Sequence, residues 1–250
     1  MTAAPPIGIQ LYTVRNQLKD DFVEVLRKLA EMGYQGVEFA GIYGGMAPSE
    51  LADFLAGLGL RTCGMHVSLD DLLDKDSQAY AYARGLRSRY VTTSQAGAVE
   101  NDWSSTVEKI GQAGAVAEEM GFTLTYHNHD AEFRKIDGEY ALDILYSRTN
   151  PATVRAELDT YWIKAGGVDP QEYIVRFPGR MPQLHIKDMA ADDGRFIEIG
   201  NGILDIHALC TAAIKVGAEW IIYEQDTCDN SPLESARISL QKLKNSLLQA

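Results

Sequence analysis

The chain has 250 residues, of which 46% are hydrophobic and 23% charged, and its formal net charge is −12. That length is enough for one large domain with a substantial core, and the composition is that of an ordinary globular protein. The negative charge would repel DNA and other polyanions, which argues against a nucleic-acid partner. No apolar run reaches the roughly 18 residues that a membrane span needs, and residues 1–6 are too short and uncharged for a signal peptide. We therefore expect a cytoplasmic protein without a membrane partner.

The number of cysteines is odd, and no two of them have a CxxC spacing; they are Cys63, Cys210 and Cys228. We expect them to be reduced, two of them buried and none essential. This expectation agrees with a reducing compartment.

Short apolar runs typical of strands alternate with longer amphipathic segments typical of helices. The predicted strands are residues 7–12, 35–39, 61–67, 89–93, 122–128, 154–159, 182–187 and 220–225. The predicted helices are residues 20–32, 48–58, 103–120, 140–148, 205–216 and 232–248. Gly33, Gly121 and Gly217 follow three of these helices directly, where glycine commonly ends a helix.

The strands recur at a spacing of about 30 residues, which is the size of one strand-helix repeat. Eight such repeats favour closure into a (β/α)8 TIM barrel, within the α/β class, over an open sheet. No GxGxxG motif follows the first strand, which further argues against a dinucleotide-binding fold. The sequence thus predicts a single barrel domain over residues 1–250.

Polar residues end the predicted strands, which is where barrel enzymes place their chemistry. In chain order they are Gln10 and Tyr12, Glu38, His66, His127 and His129, Asp159, His185 and Lys187, and Glu224 and Asp226. Four of the five histidines belong to this set. Residues two apart on a strand share a face, so each of these pairs is expected to point the same way.

Histidines and carboxylates that converge from several strands are typical of a mixed nitrogen and oxygen metal site. A structural interpretation also exists for each residue: Asp159 would cap a loop, and Glu224 would pair with Lys187. Four such residues at separate strand ends favour the metal site. The fifth histidine, His207, lies inside a predicted helix, and we expect it to be structural.

Several strand segments carry a family resemblance over nearly the whole chain. They are GIQLYTVR (8–15), GYQGVE (33–38), YHNHD (126–130), LDT (158–160), LHIKD (184–188) and EQD (224–226). In this order and spacing they resemble the xylose-isomerase-like barrel superfamily of sugar phosphate isomerases and epimerases. Within it, the histidine-rich fifth strand is similar to that of the inosose dehydratase branch.

The resemblance implies one divalent ion, Mn2+, Co2+, Mg2+ or Zn2+, with His127, Asp159, His185 and Glu224 as its ligands. It also implies a small sugar or cyclitol substrate, and homo-oligomers are common among such proteins. The sequence departs from the epimerase branch at His127, where that branch has a glutamate that works as one of two opposed proton carriers. It departs again at Trp162, where many relatives have a histidine that contacts the substrate.

On this reading Glu224 is the base, and His129 or Lys187 donates a proton. Gln10, Glu38 and His66 would bind substrate hydroxyls. Tyr12 and Trp162 would pack against the sugar ring. The expected reaction is that of a sugar isomerase or epimerase working through an enediolate. The alternatives are a dehydratase that eliminates water from a keto-polyol and a sugar-binding barrel without turnover.

Overall fold

The computed structural model describes residues 4–250, which contain eight parallel strands that form a nearly closed barrel. The strands are β1 (Ile7–Gln10), β2 (Gly36–Phe39), β3 (Arg61–Met65), β4 (Tyr90–Thr93), β5 (Thr123–His127), β6 (Val154–Asp159), β7 (Gln183–Ile186) and β8 (Trp220–Tyr223). The predicted barrel of the α/β class is therefore confirmed.

The strands lie in the order β3-β2-β1-β8-β7-β6-β5-β4, and seven neighbouring pairs form parallel ladders. The eighth pair, β3 with β4, is joined by an isolated bridge between His66 and Thr92, where the Val67 amide donates to the Thr92 carbonyl at 2.8 Å. Within residues 4–250, no other bridge pairs these two strands. We call this junction the seam; it is held only at the C-terminal end of the barrel.

Eleven α-helices are distributed along the described residues. They are α1 (Arg15–Asp20), α2 (Phe22–Met32), α3 (Pro48–Gly57), α4 (Leu69–Leu73), α5 (Gln78–Gly85), α6 (Trp103–Glu119), α7 (Ala141–Arg148), α8 (Thr160–Ala165), α9 (Pro170–Ile174), α10 (Ile206–Val216) and α11 (Pro232–Gln249). Two short antiparallel hairpins pair Lys135–Ile136 with Glu139–Tyr140, and Asp188–Met189 with Phe196–Ile197. Among residues 4–250, no helix combines the length and apolar character needed to cross a bilayer.

Local sequence explains where the longer helices begin and end. The Asp21 and Asp205 side chains accept amide hydrogen bonds in the first turns of α2 and α10, which satisfies donors that a helix start leaves free. Gly33 and Gly217 end the same two helices in the left-handed conformation, with φ of 95° and 84°, which glycine adopts without strain.

The sequence prediction was wrong at several strand ends and missed five short helices. The first predicted strand continues to Tyr12, but β1 ends at Gln10, because the Gln10 side chain caps the Tyr12 amide and turns the chain. The third, fifth, seventh and eighth predicted strands also continue one or two residues too far. The missed helices, α1, α4, α5, α8 and α9, have only five to eight residues each.

The cysteine expectation is confirmed in part: all three are free thiols, Cys63 and Cys210 are buried, and Cys228 is partly exposed. Cys63 packs with Trp220 and Ile222 as a separate apolar cluster. The polar strand-end residues predicted from the sequence lie towards the C-terminal ends of the strands, at one mouth of the barrel.

Candidate active site

A cavity of about 210 Å³ opens at the C-terminal ends of the strands. Its lining is almost entirely polar: Gln10, Tyr12, Ala40, Ser94, His66, His127, His129, Lys187, Glu224 and Asp226. This volume is below the range of pockets that hold drug-sized ligands. It corresponds to about seven waters at the volume each has in the liquid, which fits one small polyol ring.

His185 has no exposed surface and contacts Glu224, which lines this cavity, and its two ring nitrogens face different groups. Nδ1 lies 3.0 Å from Oε2 of Glu224 and 4.0 Å from Oδ2 of Asp159. Nε2 lies 2.6 Å from Oε2 of Glu38 and 3.2 Å from Oε1 of Glu157. One imidazole thus joins two groups, which we call the upper group, on the side of Glu224 and Asp159, and the lower group, on the side of Glu38 and Glu157.

The upper group consists of His127, Asp159, His185 and Glu224, and its ligand atoms all lie within 4.8 Å of one another. They come from β5, β6, β7 and the residue after β8, so four strand ends converge on one point. The mixture of imidazole and carboxylate donors suits Mn2+, Co2+ or Zn2+.

Unpaired polar atoms distinguish the upper group. His127 is buried, and neither of its ring nitrogens has a hydrogen-bond partner among residues 4–250; the same holds for Oδ2 of Asp159. His127 Nε2 lies 3.4 Å from that oxygen, but the pair is not aligned for a hydrogen bond. Because a buried polar atom without a partner costs about 1–3 kcal/mol, these atoms fit a bound cation well.

The lower group, Glu38, His66, Glu157 and His185, also has ligand atoms within 4.8 Å of one another, but its side chains are paired. Gln10 and Gln183 donate to the two oxygens of Glu38 at 2.8 and 3.1 Å. His66 Nε2 lies 2.8 Å from Glu157 Oε1. Thr92 donates to the other oxygen of Glu157 at 3.1 Å. These contacts satisfy the carboxylates without a cation.

Three members of the upper group have protonation states that suit a cation, whereas the carboxylates around His185 raise the pKa of its imidazole well above the usual value, so a cation would replace its Nδ1 proton. Burial lowers the pKa of His127 to about 3, which leaves its imidazole neutral with a free lone pair. Burial alone would raise the pKa of Asp159 and Glu224, but the Lys187 ammonium and neighbouring histidines hold both below their usual values. The two carboxylates are therefore ionised at neutral pH.

The lower group keeps His66 positively charged. Burial alone would lower the pKa of His66, but the carboxylates of Glu38 and Glu157 raise it to about 10. Both contacts are made through Nε2, and His66 also lines the cavity. An imidazolium held in this way is a proton donor at neutral pH.

Lys187 is buried at the cavity wall among three carboxylates. Its Nζ lies 2.8 Å from Glu224, 2.8 Å from Asp226 and 3.2 Å from Asp159. Burial alone would lower the pKa of Lys187, but the three carboxylates raise it above its usual value, so the ammonium stays charged. The sequence interpretation that Glu224 pairs with Lys187 is correct, and it coexists with the upper group.

Asp159 also has the structural role that the sequence offered as an alternative. Its Oδ1 accepts the Trp162 amide at 3.0 Å and caps α8, while Oδ2 points into the upper group. The Asn128 side chain accepts the Asp159 amide at 3.0 Å, which ties β5 to β6 at this point. One carboxylate thus caps a helix and leaves one oxygen for a ligand.

The predicted substrate contacts divide into three sets. Gln10, Tyr12 and His66 line the cavity, as does the predicted proton donor His129, and Tyr12 is 42% exposed at its rim. Trp162 lies behind His129, with ring centroids 5.2 Å apart.

Glu38 has no exposed surface and lies below the cavity, where it bonds His185. The expectation that it binds a substrate hydroxyl therefore needs correction: its carboxylate is already used by Gln10, Gln183 and His185. Sequence reasoning missed Glu157, although it lies two residues before Asp159 on the same face of β6.

Comparison with known proteins identifies the family of the chain. Residues 26–246 match the family model described as "Xylose isomerase-like TIM barrel". An inosose dehydratase of Geobacillus kaustophilus is 23% identical over 91% of this chain and 89% of its own length.

Two solved structures share the fold. A sugar phosphate isomerase/epimerase from Parabacteroides distasonis superposes with a TM-score of 0.81 at 22% identity, over 98% of this chain and 96% of that one. The IolI protein, described with a bound zinc atom, superposes with a TM-score of 0.76 at 14% identity, over 98% of both chains. Since the family model covers most of its length, the chain belongs to the xylose isomerase-like TIM barrel family.

Proposed function

We propose that this protein is a divalent-metal-dependent enzyme that eliminates water from an unphosphorylated keto-polyol, as the inosose dehydratases in the comparison are named to do. The observation that carries the proposal is that two opposite proton carriers face one cavity beside the upper group. Glu224 is an ionised carboxylate, and His66 is an imidazolium.

His127, Asp159, His185 and Glu224 would hold the ion, because their ligand atoms converge and several of them are unpaired; the zinc atom described with the IolI protein supports a metal in this fold. A divalent ion held at this point would supply Lewis acidity towards a carbonyl oxygen of the substrate. The chain's own residues supply the proton transfers. Glu224 removes the proton beside the carbonyl, and Lys187 holds that carboxylate in place at 2.8 Å.

Elimination also requires a proton for the departing hydroxyl group. His66 is placed to give it, because both of its carboxylate contacts are made through Nε2 and its ring borders the cavity. Glu157 and Glu38 keep this imidazole charged. An acid and a base of this kind each contribute typically 10²- to 10⁴-fold to the rate.

The distribution of charge favours a substrate without phosphate. Two cations line the cavity in the described chain, and both are already paired: three carboxylates surround Lys187, and Glu38 and Glu157 contact the His66 imidazolium. A phosphate group would face Glu224 and Asp226 without a free positive partner, so we expect a neutral sugar or cyclitol.

Barrels of this class often bind phosphate in the loops after the seventh and eighth strands. Here the side chain of Asp188, directly after Lys187, accepts hydrogen bonds from a cluster of backbone amides in that region. Its Oδ2 accepts the Gly200 and Gly202 amides at 2.8 and 3.0 Å, and its Oδ1 accepts those of Met189 and Leu204 at 2.8 and 3.1 Å. The chain's own carboxylate thus takes a place that a phosphate would otherwise take.

A second candidate is the isomerase or epimerase reaction, which needs a second carrier to return the proton. His129 favours it, because burial and the Lys187 charge lower its pKa and leave a neutral imidazole at the cavity. The two candidates share the first step and differ in the fate of the hydroxyl group.

Product analysis in D2O separates them. We expect the Mn2+-loaded protein to convert an inosose into a product lighter by one water, and EDTA to abolish the reaction. In His66→Gln we expect elimination to fall at least 100-fold while exchange of the substrate proton with solvent continues, because the base remains. His207→Gln, on α10, is the matched control. A product of unchanged mass would favour the isomerase, and ligand binding that survives EDTA without turnover would favour a sugar-binding barrel.

A further inference from the structure

A second pocket, of about 460 Å³, opens at the opposite end of the barrel from the candidate active site. It lies where β3, β4 and β8 begin, next to α3 and the end of α5, and we call it the lower pocket. Its polar lining includes Arg61, Thr62, Arg87, Arg89, Tyr90 and Glu219. The pocket borders the seam, where β3 and β4 are not paired below the His66–Thr92 bridge.

Positive charge collects in this pocket although the chain as a whole carries −12. Arg61 and Arg87 both line it and form no salt bridge within the described residues, whereas Arg89 is paired with Glu219 at 2.8 Å. Arg61 also lies flat over the indole of Trp220, 4.6 Å from its centroid. An arginine held on an aromatic face keeps its N–H groups available for an anion.

Two hydroxyl groups in the same lining are buried without a hydrogen-bond partner, counting residues 4–250. They are Oγ1 of Thr62 and the phenolic oxygen of Tyr90, a side chain with 1% exposure. Burial, together with Glu219, raises the pKa of Tyr90, so its hydroxyl keeps its proton and acts as a donor. A buried hydroxyl that lines a pocket and lacks a partner is suited to a bound acceptor.

Arg155 adds a further cation near this pocket. It precedes Glu157 by two residues on β6, so it lies on the same inward face but nearer the start of the strand. Its Nε is buried without a partner in the described chain, and its charge acts on Tyr90. The pocket lining therefore contains two guanidinium groups without a salt bridge in the described residues, those of Arg61 and Arg87, and the hydroxyls of Thr62 and Tyr90, while Arg155 adds positive charge near Tyr90.

We propose that the lower pocket binds a small molecule bearing a phosphate group. Guanidinium groups match phosphate oxygens through paired N–H donors, and the two hydroxyls supply further donors to the same tetrahedral group. The negative side chains in the lining do not cancel this charge, because Glu219 is already paired with Arg89 and Asp53 is exposed to solvent. The apolar wall formed by Ala52, Leu55 and Ala56 provides room for the rest of the molecule.

Inorganic phosphate is the probe for the test, titrated by calorimetry into the full chain at constant ionic strength. The chain is first treated with EDTA, because phosphate would otherwise bind the metal itself. We expect saturable binding of one phosphate in the wild type. We expect affinity at least tenfold weaker in Arg61→Gln, whose side chain is exposed and forms no salt bridge in the described residues.

Tyr90→Phe removes one hydroxyl and keeps the ring, and we expect a loss of about threefold to tenfold, the size of one hydrogen bond. The control is Arg237→Gln, an exposed arginine paired with Glu234 on α11, which should bind phosphate like the wild type. The proposal would be overturned if the wild-type protein binds no phosphate at roughly 20 mM, because a specific site would be at least partly filled at that concentration. Equal binding in Arg61→Gln and Arg237→Gln would also overturn it, because the anion would then lie elsewhere.

Discussion

The upper and lower groups contain the same residue types around one shared histidine, yet only the upper group has ligand atoms without a hydrogen-bond partner in the described chain. In the lower group, Gln10, Gln183 and Thr92 donate to the buried carboxylates. In the upper group, His127 and Asp159 Oδ2 have no partner within the described chain. Histidines and carboxylates thus make an ion-pair network or a candidate metal site according to the neutral donors beside them.

The largest expected effect is at His185, which belongs to both groups. In His185→Ala we expect metal affinity to fall more than 100-fold, because a ligand is lost. The free energy of unfolding should also fall by about 3–5 kcal/mol, because Glu38 and Glu157 lose a buried positive partner. Calorimetry with Mn2+ and urea unfolding measure the two quantities. Wild-type behaviour in either would show that His185 does not join the two groups.

Asp159→Asn should distinguish the contributions of the two groups, because Asp159 belongs only to the upper group. We expect metal affinity to fall about as much as in His185→Ala, since an amide is a far poorer ligand than a carboxylate. Stability without metal should change by only about 1 kcal/mol, because Lys187 keeps Glu224 and Asp226 as partners. The same two measurements apply. A stability loss as large as that of His185→Ala would contradict the proposed division.

Glu157→Gln makes the complementary change in the lower group. The amide keeps the shape but not the charge, so His185 loses part of the hydrogen bonding that orients its ring. We expect metal affinity to fall 10- to 100-fold, as for other partners of a metal-binding histidine, and stability to fall by about 1.5–3 kcal/mol. Glu198→Gln is the matched control, a buried carboxylate bonded by Asn230 and Ser235. Metal affinity unchanged by Glu157→Gln would show that the lower group has no influence on the upper one.

The smallest expected effect is a pH dependence due to His66. Its folded pKa, about 10, lies above the ordinary 6.5, so its contribution to stability is fully present below pH 6.5 and is lost as the pH rises through 10. We expect the wild type to lose about 1–2 kcal/mol more than His66→Gln between pH 6 and 9, a modest value because the side chain is partly exposed and screened. Urea unfolding at the two pH values gives the difference. Equal losses in both proteins would show that Glu38 and Glu157 do not hold His66 charged.

Much of the fold could be predicted because strands and long helices repeat at a regular spacing. Glycines at 33 and 217 mark helix ends through a conformation that other residues rarely adopt. The missed helices α4 and α9 are too short to show an amphipathic period. Their capping signals were present, however: Ser68 accepts the Asp71 amide, and Asp169 precedes Pro170 at the start of α9.

The convergence of strand-end residues could be predicted for the same reason, since parallel strands end at one mouth. The depth of each side chain could not. Glu38 was expected in the cavity, but the Gln183 and His185 side chains from β7 hold it below. Glu157 was overlooked because its importance depends on His66 and Thr92, which come from the two strands at the seam. Such contacts between distant strands cannot be inferred from one strand's pattern.

The seam has a consequence for how the barrel opens. A closed barrel has no sheet edges, but below the His66–Thr92 bridge β3 and β4 keep two edges facing each other. Local opening draws on the least-paired part of a structure, so backbone amides of β3 and β4 should exchange with deuterium before those of β6 and β7, which have ladders on both sides. We therefore expect the barrel to open locally at the seam first. A ligand bound in the lower pocket would slow the deuterium exchange of the β3 and β4 amides.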